Sequence, residues 1–191
     1  MLEAELLLDA YRHGIFPMAI NKWGDIGWFS PDPRAVIPLD ERFHVPHGLQ
    51  RVLKRADFEV TFDREFEKVI RECARRKEGT WISREIIASY RNLHRLGHAH
   101  SVETRHDGKL VGGLYGVHLG GTFFGESMFH RVADASKIAL VVLVKRLRRR
   151  GFMLLDTQWQ TPHLAQFGTY EIPRREYLSR LERAVKTDCK F

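Results

Sequence analysis

The spacing of apolar positions changes several times along the chain, and each change marks an element. Leu2, Leu6, Leu7, Ala10 and Tyr11 recur at helical spacing, which predicts a short amphipathic helix over 2–13. His13-Gly14 and Pro17 end it. Residues 18–33 read as an aromatic loop holding Trp23, Trp28 and Phe29, then two prolines flanking Asp32 that fix an extended or turned backbone. Arg34-Ala-Val-Ile-Pro38 reads as a short edge strand. Over 47–55, Leu49, Val52 and Leu53 form an apolar side, while His47, Arg51, Lys54 and Arg55 fall on one basic stripe. By itself that stripe reads as a solvated helix face; phosphate binding is the sharper alternative. Phe58–Phe62 alternates as a strand, and Asp63 is placed to cap a helix bearing Phe66, Val69, Ile70 and Cys73. After the polar turn Arg75-Arg-Lys-Glu-Gly79, Ser83 caps a helix with Ile86, Ile87, Tyr90, Leu93 and Leu96 that ends near Gly97.

Beyond this point the period shortens. Segments 99–105, 109–117 and 121–129 predict three successive strands, parted by the hairpin signals Asp107-Gly108 and Gly120-Gly121. A long helix over 134–150 and an apolar strand over 152–155 follow. Hairpin strands, then a helix, then a strand predict an α+β fold with the helix on a mostly antiparallel sheet, the pattern of a GNAT-type acyltransferase core. The expected organisation is a small N-terminal α/β domain over 1–56, or extending to about 95, and a GNAT-like C-terminal domain over 57–191.

Composition narrows the function classes. The formal charge of +7 fits either nucleic-acid contact or merely a basic surface. Two cysteines, Cys73 and Cys189, lie far apart without a CxxC partner, which argues against a disulfide framework or structural zinc and for a reducing cytoplasm. No apolar run reaches the roughly 18 residues a membrane span needs, and the N-terminal residues lack a basic signal-peptide region.

Three features carry candidate chemistry. In Gly120–Arg131, Glu126 sits between Gly125 and Ser127 with Phe123, Phe124, Met128 and Phe129 around it. An acid in such company either finds partners or titrates abnormally. Glycines inside a strand mark a bulge or the close approach of a backbone or ligand, so the stretch reads as a site floor. Asp156 and Gln158, at i and i+2 of a strand end, project to one face; on spacing alone, an Asp in a turn or cap is the plainer reading. Leu140, Leu143 and Leu147 form a helical stripe that, with Phe123, Leu114 and Leu155, either lines an apolar pocket or is simply core. The turn 130–137 contains no glycine and holds Asp134, which would repel phosphate, so coenzyme A is a poor acyl carrier.

Motifs along most of the chain resemble one family. They are Tyr11-Arg-x-Gly-Ile-Phe-Pro17, Trp28-Phe-Ser-Pro-Asp-Pro-Arg-Ala35, Gly79-Thr-Trp-Ile82, Leu93-His-x-x-Gly-His-Ala-His-Ser-Val-Glu103, Leu110-Val-Gly-Gly-Leu-Tyr-Gly116, Phe124-Gly-Glu-Ser-Met-Phe129, Ala135-Ser-Lys-Ile-Ala-Leu140 and Leu155-Asp-Thr-Gln158. Taken together they are similar to leucyl/phenylalanyl-tRNA–protein transferases. The resemblance implies a bacterial enzyme that moves Leu, Phe or, less efficiently, Met from aminoacyl-tRNA to the N-terminal Arg or Lys of acceptor proteins, which then enter N-degron degradation. It implies no cofactor and no metal, tRNA as acyl carrier, and a small N-terminal domain joined to a GNAT-like one.

By position, the resemblance assigns Asp156 and Gln158 to peptide-bond formation and Glu126 to the surroundings of the aminoacyl group. Phe123 falls in the amino-acid pocket, to which the apolar stripe Leu114, Leu140, Leu143, Leu147 and Leu155 also belongs. Trp81 and Tyr90, with Phe29, hold the terminal adenosine, and Arg51, Lys54 and Arg55 receive the tRNA acceptor end. The chain departs from the family at Met18 and Phe29, where tryptophan is common. Leu114 and Leu143 stand where methionine or phenylalanine occurs, and a longer N-terminal lead is common. The classes left as alternatives are a non-catalytic RNA-binding module and a GNAT-type transferase with another acyl donor.

Overall fold

The structure is a computed structural model that describes residues 1–55 and 57–191. Helix α1, Ala4–Arg12, buries Leu7 and Tyr11 as its apolar spacing predicts, but Leu8 is buried in addition and Leu6 is exposed. The expected loop after it is instead a hairpin, β1 (Phe16–Ala19) with β2 (Ile26–Phe29), forming a two-stranded sheet. Four-residue strands are too short to show a period. The turn between them is organised by Asn21, whose Oδ1 accepts from the backbone N–H of Trp23, Gly24 and Asp25 at 3.0, 3.1 and 3.2 Å.

Strand β3, Arg34–Ile37, is buried at every position and is not an edge: it lies between β8 (Leu154–Gln158) and β9 (Tyr170–Ile172). Helix α2, His47–Arg55, and strand β4, Glu59–Phe62, form where expected. Helix α3, Phe66–Ala74, is not capped by Asp63. That residue has φ +58°, and its carboxylate accepts from the Ser101 N–H at 2.9 Å and faces His100 Nδ1 at 2.8 Å instead. Helix α4, Arg84–Arg95, does have the expected cap, Ser83 Oγ accepting from the Ile86 N–H at 3.2 Å.

Strands β5 (Ala99–His106), β6 (Lys109–Leu119) and β7 (Thr122–His130) form an antiparallel meander. Asp107 and Gly108, both at positive φ (+50° and +71°), make the primed two-residue turn that matches strand twist. Helix α5, Ala135–Arg149, then leads to β8, the short helix α6 (Pro162–Ala165), β9 and the last helix, α7 (Arg174–Val185). Among the described residues the large sheet has seven strands in the order β4-β5-β6-β7-β8-β3-β9. All neighbours are antiparallel except β7 and β8. The α+β class with a mostly antiparallel sheet is therefore what the chain adopts.

Successive residues of β7 show how the sheet divides the core. Phe124 packs into one cluster with Tyr11, Ile70, Ile86, Leu93 and Leu181, from α1, α3, α4 and α7. Phe123 packs into the other, with Leu140, Leu143, Val144 and Leu147 of α5 and Leu49 of α2. Burying each such side chain contributes about 1.5–3 kcal/mol, enough to hold helices on both faces. The glycines Gly120-Gly121 admit α7 rather than a ligand: a Cβ on Gly120 would lie 2.3 Å from the Val185 carbonyl oxygen, and Gly121 N–H donates to Ala184 at 2.7 Å. Cys73 and Cys189 are buried and unpaired. No helix among the described residues is long and apolar enough to cross a membrane.

Candidate active site

Strands β7 and β8 stay paired only from Thr122–Leu154 to Phe124–Asp156. Beyond that they part, and a cavity of about 430 Å³ is lined by Gly125–Met128 on one side and Leu155 with Thr157–Trp159 on the other. Each strand carries one unopposed residue there. Gly125 faces Gly116 and Ser127 faces Tyr115, so Glu126 is a bulge; Asp156 faces Val36 and Gln158 faces Ala35, so Thr157 is another. A bulge re-aims a side chain that regular alternation would send elsewhere. Gly116 makes the first one possible, since a Cβ there would stand 2.2 Å from the Phe124 carbonyl oxygen.

Glu126 reaches the cavity wall with its carboxylate backed by two phenols. Tyr11 donates to Oε1 at 2.7 Å, and Tyr90 lies 3.5 Å from Oε2, the two hydroxyls also being bonded to each other. Burial pushes the Glu126 carboxyl up to about 8, the Asp156 charge adding to this while the Tyr11 hydrogen bond and the Arg34 guanidinium oppose it. The abnormal titration expected of an acid among apolar neighbours is present.

Asp156 is placed differently from the sequence expectation. It is 0% exposed and points away from the cavity, toward Arg34, itself 1% exposed. Arg34 Nε donates to Oδ1 at 2.9 Å and Nη2 to Oδ2 at 2.6 Å; Tyr177 Oη donates to Oδ2 at 2.8 Å and the Gln158 N–H to Oδ1 at 2.9 Å. Every lone pair suited to a proton is thus occupied. Arg34 is also satisfied, with Nη1 on the Gly14 carbonyl at 2.9 Å and its plane beside the rings of Phe16 and Tyr177. Asp156 and Gln158 do not share a face, because the bulge and the left-handed Gln158 (φ +61°) break the alternation. Gln158 alone lines the cavity, and its Nε2 is buried without a hydrogen-bond partner.

Tyr115 Oη and His163 Nε2 share that condition, and both residues line the same cavity. Buried donors and acceptors left open cost about 1–3 kcal/mol each, and three around one cavity mark a place prepared for a polar ligand. Burial, with the neighbouring Lys137 and His130 adding to it, holds His163 below the ordinary histidine value.

Of the other residues singled out from sequence, Leu114, Leu140, Leu143 and Leu155 line the cavity, and Trp81 and Met18 stand at its rim. Phe123 and Leu147 do not: both are fully enclosed in the core behind the lining leucines. Tyr90 is fully buried against Tyr11 and Glu126, so neither ring face is open to a nucleobase. Phe29 sits on the hairpin, packed on Phe16 with ring centroids 6.3 Å apart, outside the cavity wall. Arg51, Lys54 and Arg55 are exposed on α2, which packs on α5 through Leu49. Sequence reasoning missed Arg34, Tyr11, Tyr177 and His163. The one available signal was an arginine opening the otherwise apolar run Arg34-Ala-Val-Ile37. Among the described residues no cluster of His, Cys, Asp or Glu is arranged to hold a metal ion.

The chain is 55% identical to the leucyl/phenylalanyl-tRNA–protein transferase of Akkermansia muciniphila, over 97% of each chain. The transferase of the same name from Herpetosiphon aurantiacus is 55% identical over 100% of this chain and 98% of its own. That from Gloeobacter violaceus is 56% identical over 100% and 97%. Residues 36–182 match the family described as leucyl/phenylalanyl-tRNA protein transferase, and residues 1–32 match the N-terminal domain described for the same proteins. This chain belongs to the leucyl/phenylalanyl-tRNA protein transferase family.

Proposed function

We propose that the protein transfers leucine, phenylalanine and, less efficiently, methionine from aminoacyl-tRNA to the N-terminal Arg or Lys of acceptor proteins in the cytoplasm, marking them for N-degron degradation. Support comes above all from the cavity, in which an apolar wall of Leu114, Leu140, Leu143 and Leu155 adjoins the open amide of Gln158 and the carboxyl of Glu126. The leucines suit an apolar side chain that is not branched at Cβ, and the polar wall suits the ester and the amino group. In this reading residues 1–56 form the N-terminal unit and 57–191 the transferase domain, with β3 carrying Arg34 of the former beside Asp156 of the latter. No cofactor or metal is required.

An aminoacyl ester is already activated, so the protein's task is to position it and to stabilise charge. The acceptor's α-amino group, with a pKa of about 7.7–8.0, is partly neutral near pH 7 and needs no strong base. Its nitrogen attacks the ester carbonyl; the N–C bond forms, the C–O bond to the ribose breaks, and the amine's proton passes to the leaving ribose oxygen. Gln158 Nε2 donates to the carbonyl oxygen as negative charge builds, and Oε1 accepts from the attacking amine. One such donor contributes about 2.7–4 kcal/mol. Asp156 has no free lone pair for that proton, so it acts by holding the Gln158 backbone in its left-handed conformation. Glu126 receives the donor's α-amino group, and an arriving ammonium favours its carboxylate form. Trp81 stacks on the terminal adenosine, and the α2 stripe of Arg51, Lys54 and Arg55 meets the acceptor stem.

The test is transfer of labelled leucine from Leu-tRNA to a peptide beginning with arginine. Transfer that disappears with Gln158→Ala supports the reading. Binding of the tRNA with no turnover replaces it with a non-catalytic RNA-binding module.

A further inference from the structure

We infer that Arg76 holds the 5′-phosphate of the donor's terminal nucleoside at the cavity rim; this deepens the transferase reading above and rests on it. Around Arg76 the surface of α3 is basic but internally neutralised. Lys68 pairs with Glu65 at 3.1 Å, Arg71 with Glu67 at 2.7 Å, and Arg75 with Glu72 at 2.8 Å. Arg76 differs. Its Nη2 donates to Ser127 Oγ at 3.0 Å and its Nε to the Cys73 carbonyl at 3.3 Å, both neutral acceptors. No carboxylate among the described residues lies within ion-pair distance of it, and Nη1 has no partner among them. The guanidinium is therefore pinned in place with its charge uncompensated and donors left over, the condition for charge-assisted binding of an anion.

Its position says which anion. Arg76 lines the cavity, and Ser127, which anchors it, is the residue next to Glu126. The same loop carries Trp81, a half-buried aromatic on the rim and so a platform for a nucleobase. A nucleoside stacked there, with its 3′ oxygen esterified to an amino acid among the leucines, carries one unavoidable negative group, its 5′-phosphate. The acceptor arrives with a positive amine and a positive first side chain, which a lone guanidinium repels. An acidic side chain farther along the acceptor is the competing occupant.

The experiment compares 3′-O-leucyl-adenosine with its 5′-monophosphate as donors, using a neutral arginine-starting peptide as acceptor. The readout is the ratio of kcat/KM between the two donors, which cancels any general loss of activity in a variant. Wild-type protein should favour the phosphorylated donor about tenfold, mostly in KM, as one charge-assisted contact implies. Arg76→Ala should bring the ratio near one, and Arg76→Lys should keep part of it. A ratio unchanged in Arg76→Ala overturns the inference, as does a wild-type ratio of one. So does an Arg76→Ala defect that follows acidic residues in the acceptor. Wild-type protein that transfers leucine from neither donor nor from Leu-tRNA removes the transferase reading, and this inference with it.

Discussion

Arg34 grips Asp156 through two parallel hydrogen bonds, Nε to Oδ1 at 2.9 Å and Nη2 to Oδ2 at 2.6 Å, with both side chains sealed from water. Removing one partner of such a pair strands the other charge in the interior, at a cost of about 3–5 kcal/mol. Arg34→Ala should lose that much in urea unfolding. Arg34→Lys should recover little, because an ammonium cannot reproduce the fork that also reaches the Gly14 carbonyl. Asp156→Asn, which keeps the shape, should lower kcat far more than affinity for tRNA, by loosening the backbone of Gln158. An Arg34→Ala midpoint equal to wild type would show that the pair is not a structural tie.

Glu126 gives a pH dependence with a defined sign. Its carboxyl rises from 4.5 in the unfolded chain to about 8 in the fold, chiefly through burial. A raised carboxyl contributes stability that is whole below the unfolded value and is lost as pH rises through the folded one. Glu126→Gln has no proton to lose. The variant's thermal midpoint relative to wild type should therefore climb between about pH 4.5 and pH 8 and level off above. Midpoints at pH 5, 7 and 9 provide the check: the difference between the two proteins should grow from pH 5 to pH 9 by on the order of several degrees. A gap independent of pH would place the proton elsewhere.

What could be read ahead of the structure was local. The Ser83 cap, the Asp107-Gly108 turn and the leucine stripe of α5 depend on residues a few places apart, and each is present. Glu126 also announced itself, since glycine beside an acid in an aromatic strand is a local anomaly. Asp156 did not. Its fate depends on Arg34 and Tyr177, which come from distant parts of the chain, and on a bulge that no i, i+2 rule foresees. The same holds for β3, read as an edge because its partners β8 and β9 follow more than a hundred residues later. Tyr90 and Phe123 show the limit of carrying positions over from a resemblance: both are in place in sequence, yet both are enclosed by neighbours.

Gln158 holds a φ of +61°, which a side chain with a Cβ adopts at a cost of about 1–3 kcal/mol. Glycine adopts it freely. Gln158→Gly should therefore leave stability unchanged or slightly raised while removing the unpartnered amide that lines the cavity. If that amide stabilises the developing charge, kcat should fall by about 10²–10³, with little change in tRNA affinity. Single-turnover transfer and a denaturant titration on the same variant separate the two effects. A fall in both together would mean that the side chain holds the strand end, not the substrate.

The basic stripe of α2 makes a prediction about salt. Arg51, Lys54 and Arg55 are exposed, while Leu49 on the opposite side anchors the helix in the core, so neutralising the three should leave the fold intact. Each phosphate contact on duplex nucleic acid adds about 0.9 to the slope of log K against log salt, through release of condensed counterions. If all three meet the acceptor stem, replacing them with glutamine should flatten that slope by roughly 2–3 and weaken binding most at low ionic strength. The same change should shift affinity for different tRNA sequences alike, since phosphates carry no base identity. Filter binding of Leu-tRNA over a range of potassium chloride concentrations measures the slope directly. A variant with the wild-type slope would return α2 to an ordinary solvated face and move the search for the tRNA-binding surface to the arginines at the end of α5, Arg146, Arg148 and Arg149.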